Sequence, residues 1–220
     1  MSWAGRPEWP RERLWLWRIG FPPVRAIVNA VVPVQLQGRE NLPGAGGYLL
    51  VSNHISWLDP PMLEFALGEP IRFMAKREVF AVPVIGFVLR AIGNFPIRRG
   101  ESDRRALETA LRVLAAGQPV GFFPEGTRSK DGCLRRAKPG IALLARRSGV
   151  PVVPVAVMGT RHARISLGRR TRVLVRVGAP IAASELAAAG TNDQAVADAI
   201  MRRVAGLLPE AMRGAYADTS

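Results

Sequence analysis

The chain has 220 residues, and 31 lysines and arginines against 17 aspartates and glutamates leave a formal net charge of +14. Apolar residues make up 48%, too many for a disordered chain and enough for the core of one compact domain. A single cysteine, Cys133, excludes an intramolecular disulfide and any zinc site built on two thiolates, which reads as a reducing compartment.

The charge bears on partners rather than on fold. Three lysines (Lys76, Lys130 and Lys138) stand among many arginines, and arginine's planar fork suits phosphate. Nucleic acid, an anionic bilayer and phosphorylated small molecules are therefore all open, as is a plain compositional preference for arginine. Any mechanism that needs an imidazole must use His54 or His162.

The first elements lie in the apolar stretch from Leu14 to Leu36. It contains Arg18, Arg25, Asn29, Pro22, Pro23 and Pro33, so it does not offer the roughly 20 apolar residues that a spanning helix needs. Proline chemistry predicts two short helices, Leu14–Phe21 and Val24–Val32, hinged at Pro22–Pro23. Trp9, Trp15 and Trp17 interleave with arginines there, the pattern of a segment lying in one bilayer leaflet; a helix pair capping the core is the alternative. No signal peptide is expected, because Arg18 breaks the apolar run and no small-residue cleavage site follows.

Gly38–Gly47 is a turn-rich connector. Beyond it, Tyr48–Ser52, Ile71–Ala75, Phe95–Ile97, Val120–Phe123, Val152–Val157 and Val173–Val177 read as strands, several of them continuously apolar and hence central. Helical patterns fall between them. Asp103–Ala116 places Ala106, Leu107, Ala110, Leu111 and Leu114 on one face after a Ser102 cap. Pro139–Ser148 starts on proline and stops at Gly149, and Ala195–Leu208 follows a cap near Thr191 or Asn192. An uncharged run, Val79–Leu89, reads as a buried segment or an apolar wall. The fold class is therefore α/β, layered, with a mostly parallel or mixed sheet. Residues 1–36 form the membrane-associating segment, 37–210 the α/β domain, and 211–220 a flexible tail.

Three clusters of polar residues follow predicted strands. The first is Ser52-Asn53-His54-Ile55-Ser56-Trp57-Leu58-Asp59-Pro60. On a regular helix an offset of five residues is about 140° from alignment, so His54 and Asp59 meet only across a turn. There Asp59 could hold one ring nitrogen and leave the other as a general base, although the bare spacing is common in loops. The second is Phe123-Pro124-Glu125-Gly126-Thr127-Arg128-Ser129, whose glycine turn, hydroxyls and guanidinium suit a phosphate. The third is Gly93-Asn94-Phe95-Pro96-Ile97-Arg98-Arg99. Singly each reads equally well as a charged turn.

Together they resemble the glycerolipid acyltransferase family, most closely its bacterial lysophosphatidic acid acyltransferases. The family's N-H-x4-D block matches Asn53, His54 and Asp59, and its glycine–β–arginine block matches Gly93, Phe95, Ile97 and Arg99. Its F-P-E-G-T-R-S block is complete from Phe123 to Ser129, and its V-P-x-x-P-V block matches Val150–Val155. The resemblance runs from Gly38 to Pro180, in family order.

It implies acyl transfer from acyl-CoA or acyl carrier protein to the free hydroxyl of lysophosphatidic acid, with no cofactor and no metal. His54 and Asp59 would be catalytic; Asn53, Arg99, Glu125, Gly126, Thr127 and Arg128 would bind substrate. It also implies a peripheral or monotopic enzyme on the cytoplasmic face of an anionic membrane. Other lysophospholipids or a glycerol phosphate remain alternative acceptors. Ser56 and Cys133 are rival nucleophiles, but no G-x-S-x-G elbow is present. His162 is expected to pack or face solvent, and Lys138 and Gly140 to lie in a solvated loop or beside the phosphate. No ligand spacing calls for a metal. A basic membrane-surface or nucleic-acid-binding protein is the non-enzyme alternative. It lacks a nucleic-acid signature and gives His54 and Asp59 no task.

Overall fold

A computed structural model describes residues 14–97, 104–162, 172–188 and 190–218. Seven strands among them form one sheet: β1 (Val34–Gln37), β2 (Leu49–Ser52), β3 (Arg72–Lys76), β4 (Phe95–Ile97), β5 (Val120–Phe122), β6 (Val152–Met158) and β7 (Val173–Val177). The spatial order is β1-β7-β6-β2-β5-β3-β4. All neighbours pair in parallel except β6 and β7. The ends of β2, β3, β4, β5 and β6 therefore share one edge, where α/β sheets place their ligands.

Burial on both faces explains the continuously apolar strands. Leu49 and Val51 of β2 join one core cluster, and Leu50 between them joins the other. Alternate residues thus face opposite helix layers, as the period of a strand requires. The first layer holds α4 (Arg104–Ala115), α5 (Gly140–Ser148), α6 (Ala183–Ala188) and α7 (Asp193–Gly206). The second holds α1 (Leu14–Val31) and α2 (Asp59–Leu67). Each Leu or Val sealed between layers contributes about 1.5–3 kcal/mol.

Local chemistry sets the ends of these elements. The Asn192 side chain accepts from the amides of Gln194 and Ala195 and caps α7. Gly149, in the left-handed region at φ 64°, returns its N–H to Ala145 and closes α5. On α4, Ala106, Ala110, Val113 and Leu114 are buried, close to the expected face; Ser102 lies outside the described residues.

Three expectations are corrected. The prolines do not divide the first helix: α1 runs unbroken from Leu14 to Val31 with Pro22 and Pro23 inside it. Both are exposed, so carbonyls left without a helical donor there are reached by water. Phe21 stacks on Phe65 of α2 at 5.3 Å, fastening this helix to the body. Trp9 lies outside the described residues, as do the side chains of Trp15 and Trp17.

Second, the tail is packed as far as Tyr216. Tyr216 is buried; its hydroxyl accepts from Ala137 N–H and donates to Asp198. Leu134 N–H bonds to Met212 and Ala215 N–H to Leu134, so the chain end is stitched to the loop before α5.

Third, Val79–Leu89 is not a buried segment. It spans the end of a 3-10 turn (Arg77–Ala81) and most of α3 (Pro83–Ala91). Val84 is 74% exposed and Phe87 58%. Gly86 is buried instead, where a Cβ would stand 2.2 Å from the Phe80 carbonyl oxygen. No described helix is long and apolar enough to cross a membrane.

Candidate active site

The sheet edge at the ends of β2, β5 and β6 gathers the N-H-x4-D, F-P-E-G-T-R-S and V-P-x-x-P-V blocks. β2 ends at Ser52, and α2 begins at Asp59 with Pro60 and Pro61 in its first turn. Proline at the start of a helix costs no bond, because those N–H groups have no helical partner. The residues between fold into a tight turn, with Asp59 N–H directed at Ser56 O over 3.3 Å.

That turn solves the angular problem of five-residue spacing. His54 Nδ1 lies 2.8 Å from Asp59 Oδ2. The same oxygen accepts from the amides of Ile55 at 2.7 Å and Ser56 at 2.8 Å, and Oδ1 accepts from the Thr160 hydroxyl at 2.5 Å. Asp59 is wholly buried. A carboxylate surrounded by four donors acts as an acceptor, so Nδ1 carries the proton and Nε2 keeps its lone pair. The imidazole is stacked on Phe123 at 4.2 Å, and Phe123 on Phe73 at 5.4 Å, which fixes the ring plane. His54 is 6% exposed.

Glu125 ties the F-P-E-G-T-R-S block to the N-H-x4-D block. Its Oε1 accepts from His54 N–H at 2.8 Å, and its Oε2 from Arg135 N–H at 3.1 Å. Ser129 N–H in turn bonds to the His54 carbonyl at 2.7 Å. Burial pushes the Glu125 carboxyl up to about 7, against the two amides that pull it down. Asn53 plays a similar part toward the fourth block. Its Nδ2 donates to Val157 O at 2.9 Å and its Oδ1 accepts from Val157 N–H at 2.8 Å.

The expected substrate contacts thus divide by where their polar atoms point. Asn53 and Glu125 are buried, and their side-chain atoms are engaged by the protein's own backbone. Thr127 and Arg128 are exposed on the rim. Gly126, just before them, has φ 70°, and a Cβ there would lie 2.9 Å from Lys138 Cε and 3.1 Å from Lys138 Nζ. Glycine is favoured here by the left-handed backbone conformation, whereas the exposed end of Lys138 is free to shift aside. Lys138 N–H donates to the Pro124 carbonyl, so the ammonium belongs to the same turn as Arg128. Arg99 lies outside the described residues, just beyond Ile97 at the end of β4.

The rival nucleophiles are occupied elsewhere. Ser56 Oγ accepts from Leu58 N–H at 3.2 Å. The Cys133 thiol donates to Ala211 O at 3.3 Å, in the stitched chain end. His162 sits in the short turn after β6, its side chain outside the described residues. Among the described residues no group of three or more His, Cys, Asp or Glu could hold a metal ion.

Thr160 is the functional candidate that spacing did not reveal. It stands 101 positions from Asp59. Its one sequence signal is Gly159, which ends the apolar fourth-block strand and marks a turn.

A buried histidine–carboxylate pair thus lies beside a glycine–arginine turn at the strand ends of an α/β sheet. The chain belongs to the acyltransferase family, whose model matches residues 33–158. It is 30% identical over 185 residues to a 1-acyl-sn-glycerol-3-phosphate acyltransferase of Bacillus subtilis, covering 82% of this chain and 91% of that one. It is 42% identical over 128 residues to a chloroplastic enzyme of the same name from Brassica napus. That match covers 57% of this chain and 37% of the plant protein, so the chain spans little more than a third of that relative. A lyso-ornithine lipid O-acyltransferase of Pseudomonas aeruginosa is 34% identical over 148 residues, covering 67% of this chain and 54% of that one. The fold resembles the crystal structure of the 1-acyl-sn-glycerophosphate acyltransferase PlsC from Thermotoga maritima. The TM-score is 0.71 at 24% identity, over 90% of this chain and 82% of that one.

Proposed function

We propose that the protein moves a fatty acyl group from a thioester, acyl-CoA or acyl carrier protein, to the free hydroxyl of lysophosphatidic acid, giving phosphatidic acid. The observation that carries the reading is the His54–Asp59 pair at 2.8 Å, set against the exposed Thr127–Arg128 turn. His54 Nε2 takes the proton of the acceptor hydroxyl as its oxygen attacks the thioester carbonyl. The new C–O bond forms, the C–S bond breaks, and the departing thiolate recovers the proton from the imidazolium. General base catalysis of this kind is worth about 10²–10⁴-fold. Asp59 holds the tautomer and steadies the imidazolium. No acyl-enzyme is invoked: among the described residues the imidazole pairs with Asp59, while the Ser56 and Cys133 side chains bond to backbone groups of Leu58 and Ala211.

The acceptor phosphate is held by Thr127, Arg128, the Gly126 backbone, Lys138 and Arg99. Asn53 and Glu125 serve this site by position: one locks the first block to β6, the other locks it to the phosphate turn. An acceptor whose phosphate sits near the reacting hydroxyl suits such a cationic rim. The resemblance to a lyso-ornithine lipid acyltransferase supports a second acceptor class, in which the rim meets a different polar head.

We place the enzyme as a peripheral or monotopic protein on the cytoplasmic face of an anionic membrane. Support comes from residues that a soluble surface would normally cover. Ile19 and Ile27 of α1 are 70% and 65% exposed, and Trp57 beside the dyad is 70% exposed. On α3, Val84, Ile85, Phe87 and Val88 face outward, between the exposed cations Lys76 and Arg77 at one end and Arg90 at the other. Apolar side chains with a cationic rim suit the headgroup boundary. Because α3 follows β3, it lies on the same sheet edge as His54.

The test is product analysis by mass spectrometry with acyl-CoA and acyl carrier protein donors in parallel. Lysophosphatidic acid, lysophosphatidylcholine, lyso-ornithine lipid and glycerol 3-phosphate would be offered as acceptors. Phosphatidic acid formed with either donor, faster than any other product, is expected. A faster reaction with a phosphate-free acceptor would overturn the assignment.

A further inference from the structure

The fourth block, Val150–Val155, supplies no residue to the chemistry described so far, yet its strand runs straight to the dyad. β6 is buried along almost its whole length beside β2. Two cross-links tie the two strand ends together. Asn53, the residue before His54, is hydrogen-bonded both ways to Val157. Three residues further on, Thr160 donates to Asp59.

Gly159 makes the second link possible. Its φ of 85° is left-handed, and a Cβ there would lie 2.3 Å from the Arg172 carbonyl oxygen. Only glycine lets the chain leave β6 so abruptly and turn the next side chain back toward α2. Thr160 is 1% exposed, so its hydroxyl has no bulk solvent as an alternative partner.

The four bonds on Asp59 are unevenly shared. Oδ2 takes His54 Nδ1 and the amides of Ile55 and Ser56, all from the carboxylate's own turn. Oδ1 takes Thr160, which comes from the turn after β6. The three local bonds converge on one oxygen and leave the carboxylate plane free to swing about it. A donor on the other oxygen stops that swing. Without it, Oδ1 would be a buried acceptor with no partner, and the carboxylate would turn to satisfy it at the expense of the imidazole.

We propose that Thr160 is a positioning residue for the base: its hydroxyl fixes the Asp59 carboxylate plane and thereby the orientation and tautomer of His54. This assigns the end of the fourth-block strand a share in catalysis through Asp59, with no contact to substrate.

The test compares Thr160→Val, which keeps the shape and removes the donor, with Thr160→Ser, which keeps the donor. Each is made in the wild-type chain and in Asp59→Asn. With lysophosphatidic acid and acyl-CoA or acyl carrier protein, Thr160→Val should lower kcat by roughly 10- to 100-fold. KM for both substrates should stay within about threefold, and Thr160→Ser should restore most of the rate. In the Asp59→Asn background, Thr160→Val should cost about twofold or less, since residues acting through one another are not additive. An equal loss in both backgrounds, or a loss confined to KM, would overturn the proposal.

The proposal rests on the His54–Asp59 reading but not on the choice of substrate, and a second measurement separates the two. Ring nitrogen shifts of 15N-histidine in mildly alkaline buffer, read through carbon-bound protons, need no substrate. With two histidines in the chain, His54→Ala assigns the signals. Wild type and Thr160→Ser should show the Nδ1–H tautomer, and Thr160→Val a mixture with Nε2–H. An unchanged Nδ1–H tautomer in a folded Thr160→Val would overturn the proposal. Should Thr160→Val fail to fold, Thr160→Ala takes its place with the same expected mixture and the same overturning result.

Discussion

The two halves of the site are built on opposite principles. Around His54 and Asp59 nearly every polar atom is buried and already bonded: four donors converge on Asp59, and Phe123 fixes the ring. On the rim, Thr127, Arg128 and Lys138 are exposed. The lesson is a division of labour. Under the proposed function, the groups that would move a proton are set in place beforehand, where reorganisation would cost rate. The groups that would hold a charged substrate stay in water, where a charged headgroup would be met and released. Exposed charges act weakly and are screened by salt, whereas a buried dyad is intolerant of any loss.

The sharpest way to break this contrast is His54→Ala. The account expects kcat to fall by about 10²–10⁴-fold with little change in the KM for the acceptor. Steady-state thiol release would show it, and a loss in KM alone would erase the distinction between the halves. Glu125 comes next, because its two oxygens bridge the halves. Glu125→Gln must set an NH2 group against one of two backbone N–H donors. A fall in kcat of about tenfold or more, with a lower melting temperature, is expected.

On the rim, Arg128→Ala should raise the acceptor KM by about tenfold and leave kcat within about threefold. That penalty should shrink as salt is raised to about 0.5 M, since screening already weakens the wild-type contact. A salt-independent penalty would mean that Arg128 works in a desolvated site like the dyad.

The smallest effect concerns stability away from the site. Glu64 of α2 is buried, its Oε1 has no hydrogen-bond partner, and desolvation pushes its carboxyl up to about 8 against the pull of Arg72. The folded protein therefore keeps a proton that the unfolded chain releases near pH 4.5. Between those values the unfolded state binds fewer protons, so stability falls as pH rises from about 4.5 to about 8 and then levels. Glu64→Gln should remove that slope and melt higher than wild type at pH 8, by an amount that vanishes toward pH 4.5. Parallel melting curves at all pH values would contradict this.

Much of this was legible in the chain. Continuous apolar runs such as Tyr48–Ser52 and Val152–Val157 announced central strands, and β2 and β6 are buried on both faces. The His54–Asp59 pairing followed from the block pattern, and the turn after β2 supplies the geometry that spacing left open. The N-terminal region read less well. A proline pair is a strong helix-breaking signal, yet on an exposed helix the freed carbonyls are satisfied by water and α1 continues. The tail was misjudged because its anchor, the Tyr216 hydroxyl between Ala137 and Asp198, depends on residues distant in sequence. α2 and α3 escaped notice because prolines open both, Pro60–Pro61 and Pro83, and helix periodicity needs more than two turns to show.

Sequence type alone likewise could not tell which polar residues face the substrate. Asn53 and Glu125 have the chemistry of ligands, but the fold turns them onto backbone groups of β6 and of the loop before α5. Thr160 was hidden for the converse reason: a lone threonine after a glycine carries no pattern, and its partner Asp59 lies 101 positions away until the sheet brings the two together.

The most direct measurement is thiol release from long-chain acyl-CoA or acyl carrier protein on adding lysophosphatidic acid, for wild type and His54→Ala side by side. The account predicts release with phosphatidic acid formed by the wild type, and loss of that release in the variant. Release that survives His54→Ala would contradict the assignment of His54 as the base.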